Sequence, residues 1–471
     1  MKFRLFLFLV VVLPVAMAGH ADEITLEEYL TLVRTNHPFF TKEKLAVDIE
    51  KKESQSLLGA EDWILNITPS YSFVGEASAS EYGAQTKVHR VGIDASINRS
   101  LWSTGGKLGF SFTSSYTNSD PLIGPYDRFK HGFGASYTQP LLQNLGGTLD
   151  RIGYELGDYT IALTEVQSIE NMEGFLLDTA LVFLDWVYYS EVIEIAKQRL
   201  SLAQEQLQNT EKRFKSNLID RVDVLRAEDA VRISEKTIIQ LETQWKAKQA
   251  ELAVLAKTDT IYGKVPSYDL YKMVPVPDTE EVSSQLKSRS RLLQTLSILQ
   301  EQLVHQREGL VEQRRPQLDL MVAGGLYGSD EEFVESLGIY KPEASISLVF
   351  TTNLENRTID AQIEKLDLKV NQIEEDIMNV ETSLEASMVN ILIQIFEMEK
   401  VLALNQAQIL SAEEKTKEEL RLYNQGRNQL AFVIQSRDNE ENAKMEYIEN
   451  SVLYQGLILQ YRALLDELYL K

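Results

Sequence analysis

Five histidines stand at positions 20, 37, 89, 131 and 305, and the chain contains no cysteine. Histidine can move a proton near neutral pH or hold a metal ion, and metal sites bring such ligands together at short, characteristic spacings. These five are scattered and form no such set, and His305 sits in a polar helical stretch where a solvated side chain is the simpler reading. The missing cysteine removes disulfides, thiolate ligands and thiol nucleophiles. The glycine stretches "GGKLGF" (105–110) and "GFG" (132–134) are not followed by a helix at phosphate-binding spacing, so turns and strands account for them. The carboxylate pairs Glu374-Glu375 and Glu413-Glu414 fall on charged helical sequence and read as a solvated face. No order of Ser, His and Asp supports nucleophilic catalysis. The expectation is a chain that is not an enzyme, with no catalytic, metal-binding or cofactor-binding set.

What remains is architecture. The 471 residues carry 47 basic and 70 acidic side chains, a net charge of −23. Nucleic acid prefers a basic surface, so a nucleic-acid partner is excluded. Lys2 and Arg4 precede the apolar run "LFLFLVVVLPVAMA" (5–18), and Ala16-Met17-Ala18 fits a small-residue cleavage rule, with Ala21 as a second possible end. Residues 1–21 are therefore expected to be a signal peptide. No later run reaches the roughly 20 apolar residues of a membrane-spanning helix.

Two stretches repeat each other. "RFKSNLIDRVDVLRAEDAV" (213–231) aligns with "RLYNQGRNQLAFVIQSRDN" (421–439), Phe214 against Tyr423, Asn217 against Gly426, Val224 against Val433 and Asp229 against Asp438, at a constant spacing of 209. Asn and Gly are the residues that best tolerate the left-handed backbone of a helix C-cap. The same helical hairpin thus occurs twice. Residues 148–216 and 355–424 lack proline and are rich in Leu, Glu, Gln, Lys and Ala. At about 1.5 Å per residue each spans about 100 Å. Shorter helices are expected over 219–256 and 428–470, and two more over 25–58 and 279–314, where Thr25 and Glu28 resemble a capping box. The lengths suggest that two shorter helices stack end to end beside each long one. "KTDTIYGKVPSYDLYKMVPVPD" (257–278), with three prolines, reads as an irregular connector.

The other texture is period-2. From His89 to Trp102 the odd positions carry Val91, Ile93, Ala95, Ile97 and Leu101, and the even ones Arg90, Asp94, Ser96, Asn98 and Ser100, with Arg99 the exception. The same alternation runs through Leu65 to Phe73, Leu108 to Tyr116, Leu318 to Leu326 and Ala344 to Phe350, and more weakly through Phe133 to Tyr137. "STGGK" (103–107) fits a hairpin turn. Such strands form either a soluble sheet packed on helices or a barrel wall with lipid outside and water inside. Trp63, Tyr71, Trp102, Tyr116, Tyr126 and Tyr137 fall where interfacial aromatics would stand. Four to six strands cannot close a wide barrel alone, and open sheet edges are not tolerated in hydrocarbon. Several chains must then share one barrel, with cyclic symmetry, and the same symmetry would gather the long helices into a coiled-coil cylinder.

At this point the chain resembles the TolC-like outer-membrane factors of efflux and type I secretion systems. "ITLEEYLTLVRTNHP" (24–38) is similar to the family's opening helix, although His37 intervenes between Asn and Pro. "SYTQPLLQNLGG" (136–147) and "SLVFTTNLENR" (347–357) resemble its two strand-to-helix passages, and "YNQGRNQLAFVIQSRD" (423–438) its second hairpin tip. The element order over the whole mature chain carries the likeness more than any single motif.

The resemblance implies a mainly α fold with membrane β: long α-helical hairpins forming a tunnel, strands contributing to an oligomeric β-barrel, and an internal two-fold repeat. It implies repeats over 22–256 and 279–471 joined by 257–278. It implies a homotrimer in the outer membrane, each copy giving four strands to a 12-stranded barrel and helices to a periplasmic tunnel. The partners would be a periplasmic adaptor (membrane fusion protein) and an inner-membrane pump or ABC exporter. Adaptor contacts would fall on the tips, at Asn217, Leu218, Ile219 and Asp220 and at Gly426, Arg427, Asn428 and Gln429. The family often rings its tunnel entrance with carboxylates. Asp223 occupies that position in the first repeat, but Phe432 and Gln435 stand there in the second, so an apolar constriction at Phe432 competes with an acidic gate. The first repeat also carries a surplus pair of strand-like segments within 89–117, which either extends a surface loop or widens the sheet. The alternative is a soluble periplasmic coiled-coil scaffold or adaptor, which explains the helices and the charge but not the alternating strands.

Overall fold

A computed structural model describes residues 22–75, 85–121, 126–277 and 279–469; the expected signal peptide lies outside them. The chain opens with β1 (Asp22–Thr25), α1 (Leu26–Asn36) and α2 (Pro38–Leu57). Strands β2 (Ile64–Val74), β3 (Gln85–Leu101), β4 (Gly106–Pro121) and β5 (Tyr126–Pro140) follow. Then come α3 (Thr148–Lys215) and α4 (Arg221–Leu255). After β6 (Lys264–Ser267), the second half runs α5 (Thr279–Arg289), α6 (Arg291–Gln313), β7 (Gln317–Asp330), α7 (Phe333–Ser336), β8 (Lys341–Thr351), α8 (Arg357–Asn424) and α9 (Leu430–Leu464).

The duplication holds to the residue. Helices α3 and α8 each have 68 residues and α4 and α9 each have 35. Thr148, Lys215, Arg221 and Leu255 correspond to Arg357, Asn424, Leu430 and Leu464 at the same spacing of 209. No helix among the described residues is long and apolar enough to cross a membrane.

Three readings of the sequence are corrected. The helix expected over 25–58 is broken, because Pro38 disfavours helical backbone at His37, whose ψ is 127°. The capping box at Thr25 and Glu28 is present. The helix expected over 279–314 is also broken, at Ser290, whose hydroxyl accepts from the Leu293 N–H and starts α6. The connector is more ordered than expected: β6 pairs in parallel with β1, Glu23 opposite Val265, and a 3-10 turn (Asp259–Ile261) precedes it.

Contacts divide the chain into two compact units. One is built from the described parts of Met1–Thr41, Met172–Ser288 and Glu385–Lys471. Its core stacks Tyr29 on Phe183, sets Phe183 against Trp186, and places Trp186 beside Trp245 of α4. Gln455, buried on α9, donates to the carbonyls of Leu270 and Lys272 and so ties down the connector.

The other unit comprises Lys42–Asn171 and Arg289–Leu384 and contains the sheet. Here α2 follows α3 through a Lys51–Glu165 ion pair, and α6 follows α8 through Arg307–Asp367 and Arg314–Asp360. Leu303, Leu366 and Ile373 form the apolar seam between α6 and α8. His305 is not simply solvated. Its ring nitrogens lie 2.8 Å from Glu155 on α3 and 3.1 Å from Glu308, so it joins α6 to α3.

The sheet is antiparallel, in the order β2-β3-β4-β5-β7-β8. The surplus segments are therefore not a surface loop. They are β3 and β4, of 17 and 16 residues, inserted between β2 and β5, and the sheet has six strands where the resemblance implied four.

Candidate functional site: hairpin tips and strand wall

Each hairpin tip is a helix end whose orphan carbonyls must be satisfied. In the first, Asn217 has φ +57° and Leu218 donates its N–H to the Arg213 carbonyl at 2.9 Å. In the second, Gly426 has φ +74° and Arg427 donates to the Leu422 carbonyl at 3.0 Å. Both are Schellman caps with a left-handed residue, which is why Asn and Gly exchange at this point. Asp220 and Gln429 then start α4 and α9 from extended backbone.

The side chains differ between the tips. Leu218 is 68% exposed, with Val222 and Leu225 also exposed beside it, so the first tip is apolar. The second is polar: Asn428 donates to Glu419 and accepts from the Gln429 N–H, while Arg427 is exposed. Ile219 is half-buried. Two of the three gate candidates bond along their own helix. Asp223 accepts from Arg226 at 3.3 Å, and Gln435 donates to Asn439 at 3.2 Å. Phe432 is 53% exposed, the one large aromatic ring of α9's first turn, and is free to meet another surface.

One residue was absent from the sequence-based set. Arg213, in the last turn of α3, places its guanidinium 4.4 Å from the centre of the Tyr423 ring and donates to the Tyr423 carbonyl at 3.2 Å. This clamp binds the first hairpin to the second through a cation–π contact and a helix C-terminus together. Tyr423 also belongs to a buried cluster with Ala227, Leu430 and Val433. The available signal was a cation and an aromatic ring at the two equivalent helix ends, but only folding sets them face to face. Arg213→Ala is expected to loosen the paired tips and speed hydrogen exchange of the amides around Asn217 and Gly426 several-fold; exchange at the parent rate would refute the clamp.

Further along, Arg199 of α3 is buried between Asp438 and Glu441 of α9, and Arg437 donates to the Leu202 carbonyl at 2.8 Å. Burial pushes the Glu441 carboxyl above the usual carboxylate range, against the pull of Arg199. Lys444 joins Glu440 to Glu413 of α8. The helices behind the tips are thus pinned by ion pairs as well as by apolar contacts.

The sheet has two chemically distinct faces. Paired residues share a face, and the registers carry one apolar set across the sheet. Ile67, Ala95, Phe112, Phe133, Leu326 and Pro342 form one such row. The adjacent row holds Asn66, Ser96, Ser111, Gly134, Gly325 and Glu343. The apolar face is uncovered: Leu65, Tyr71, Phe133, Ile346, Leu348 and Phe350 are all exposed, Ile346 by 76%. Trp63 and Tyr71 are exposed, but Trp102, also expected at an interface, is buried. Its backbone N–H donates to Glu61 at 2.7 Å and its carbonyl accepts from Arg151 at 2.9 Å, so it anchors the β3–β4 turn to the start of α3.

A scan of protein-family models finds no match to the chain, and a search of curated protein sequences finds none either. Solved structures do match. The channel-forming protein CusC shares 10% identity at a TM-score of 0.68, covering 96% of this chain and 95% of that one. The CmeC outer-membrane channel of Campylobacter jejuni shares 12% at 0.66, over 94% and 86%. The MtrE outer-membrane channel of Neisseria gonorrhoeae, in its open state, shares 13% at 0.64, over 94% and 88%. With long paired helices, a two-faced sheet and this end-to-end structural likeness, the chain has the fold of the TolC-like outer-membrane factors.

Proposed function

We propose that the chain is an outer-membrane exit duct of a tripartite efflux or type I secretion system. Three copies share one barrel, and their helices form a periplasmic tunnel gated at the tips. The carrying observation is the uncovered apolar face that spans every strand of the sheet. In water that area would demand a covering partner; in a bilayer it is the required surface. On this reading residues 1–21 direct export, and the repeats 22–256 and 279–471, joined by 257–278, each supply a hairpin.

The chain provides passage and no reaction, and energy comes from an inner-membrane pump or ABC exporter. A periplasmic adaptor docks at Asn217–Asp220 and Gly426–Gln429, its apolar contacts falling on Leu218. The solution measurement is direct. The purified mature chain should require detergent and run as a heat-modifiable oligomer. A monomer that dissolves freely without amphiphile would favour the soluble scaffold reading and defeat this one.

The gate reading has its own test. Phe432→Ala, or Phe432→Asp, is expected to raise conductance and antibiotic leak by widening or charging the entrance. Conductance equal to the parent would remove Phe432 from the gate.

A further inference from the structure

We infer that the closed wall contains three copies of the six-strand sheet, eighteen strands, and that its bore admits cargo too wide for a twelve-stranded barrel. This rests on the exit-duct reading and adds the width class of what passes through the wall.

Three observations carry it. First, β3 and β4 are full wall strands, hydrogen-bonded along their lengths to β2 and β5, from Ile64 opposite Asn98 to Val74 opposite Val88 on one side and from Lys107 opposite Thr138 to Ser119 opposite Tyr126 on the other. Their apolar residues Ile93, Ile97, Phe110 and Phe112 continue the apolar face, with Ser114 opposite Ile93 and Arg99 opposite Leu108 as its polar breaks. Second, the free edges match. β2 and β8 have 11 residues each. Sheet order makes them antiparallel, so β8 of one copy can pair with β2 of the next as every other neighbour in the sheet pairs. Third, the polar face between β4 and β8 is rich in small side chains, with Lys130, Tyr327 and Glu343 the large ones among them. Ser111, Gly132, Gly134, Ser136, Ala323 and Gly325 border an open groove of about 310 Å³. Narrow barrels fill their interiors with side chains, and residues as small as these six would fill little of one.

The width follows from strand number. At a strand spacing of about 4.8 Å and a tilt of about 40°, eighteen strands give a backbone radius of about 18 Å, and twelve give about 12 Å. Allowing about 4 Å for short side chains leaves free radii of about 14 Å and about 8 Å.

The chain's lack of cysteine makes the test clean. Thr68→Cys on β2 is combined with Ser345→Cys or Ser347→Cys on β8, and oxidised in membranes. Separately, Ser136→Cys, exposed on the polar face toward the helix end of β5, is treated from outside with a small maleimide and with a polymer-linked maleimide whose hydrodynamic radius, about 11 Å, lies between the two bores. Glu332→Cys, in the β7–β8 loop, serves as the accessible control. The expected result is an interchain disulfide ladder ending at three copies, with Ser136→Cys labelled by both reagents at rates within about twofold relative to the control. An oligomer in which the large reagent is excluded more than tenfold from Ser136→Cys would overturn the eighteen-strand wall and leave the duct standing. So would an oligomer with no β2–β8 disulfide at any tested pair. A chain that stays monomeric without detergent would overturn the duct reading itself, and the wall with it.

Discussion

In the proposed duct, Ile346→Arg is expected to abolish insertion into the outer membrane while leaving the helical hairpins folded. Ile346 is the middle residue of β8 and the most exposed member of the apolar face, at 76%. An arginine at bilayer mid-depth costs about 2–4 kcal/mol per copy. A cyclic assembly carries the substitution once in every copy, so three copies multiply the cost to roughly 6–12 kcal/mol. Typical stabilities are only about 5–15 kcal/mol, so the assembled barrel should not survive. Fractionation with detection of the heat-modifiable oligomer reads the outcome directly. Ser345→Arg, one residue away on the polar face, is the matched control and should assemble normally. Equal assembly of both variants would mean that the apolar face does not meet lipid.

Gly147→Ala is the second large effect, and it acts through backbone rather than membrane. Gly147 has φ +72°, a conformation that costs side-chain-bearing residues about 1–3 kcal/mol. A Cβ there would also lie 1.8 Å from the Trp102 carbonyl oxygen. That contact is backbone, so the β3–β4 turn and the start of α3 must separate to admit it. Separation would break the Arg151 bond to the Trp102 carbonyl and the Gly146 N–H bond to the Thr104 carbonyl. A loss of at least about 3 kcal/mol is expected from strain and broken bonds together. Oligomer melting temperature and yield measure it. Gly153→Ala, whose added methyl meets nothing within 4 Å, should cost nothing and gain up to about 1 kcal/mol from better helix propensity. A Gly147→Ala oligomer as stable as the parent would show that the turn is not fixed to the helix.

Much of this was legible in the sequence because the signals were local and periodic. The alternation of Val91, Ile93, Ala95 and Ile97 announces a two-faced strand, and the Asn217–Gly426 correspondence announces paired helix caps. Both depend on neighbours within a few residues. The β1–β6 pair gave no such signal: four residues on each side, separated by more than 230 positions, are held by parallel bonds and a Lys264–Asp22 ion pair. The breaks at His37 and Ser290 were written in a proline and a capping serine, but the helical periodicity on either side masked them. Trp102 looked interfacial because its type favours interfaces; its ring is buried beside Tyr154, and its backbone is held by Glu61 and Arg151, which only the fold brings near. Arg213 and Tyr423 lie 210 residues apart, and pattern alone could not pair them.

The surplus hairpin also bears on how such walls change size. A single added strand would deliver the chain to the wrong side of the sheet, and α3 could not begin where it does. Two strands return it to the side it left, which is why Gly106 and Leu101 lie together beside the passage into Thr148. The helices keep their 209-residue correspondence from Thr148 and Arg357 onward, untouched by the insert. Growth by hairpins therefore enlarges the circumference in even increments per protomer, with no compensating edit anywhere downstream.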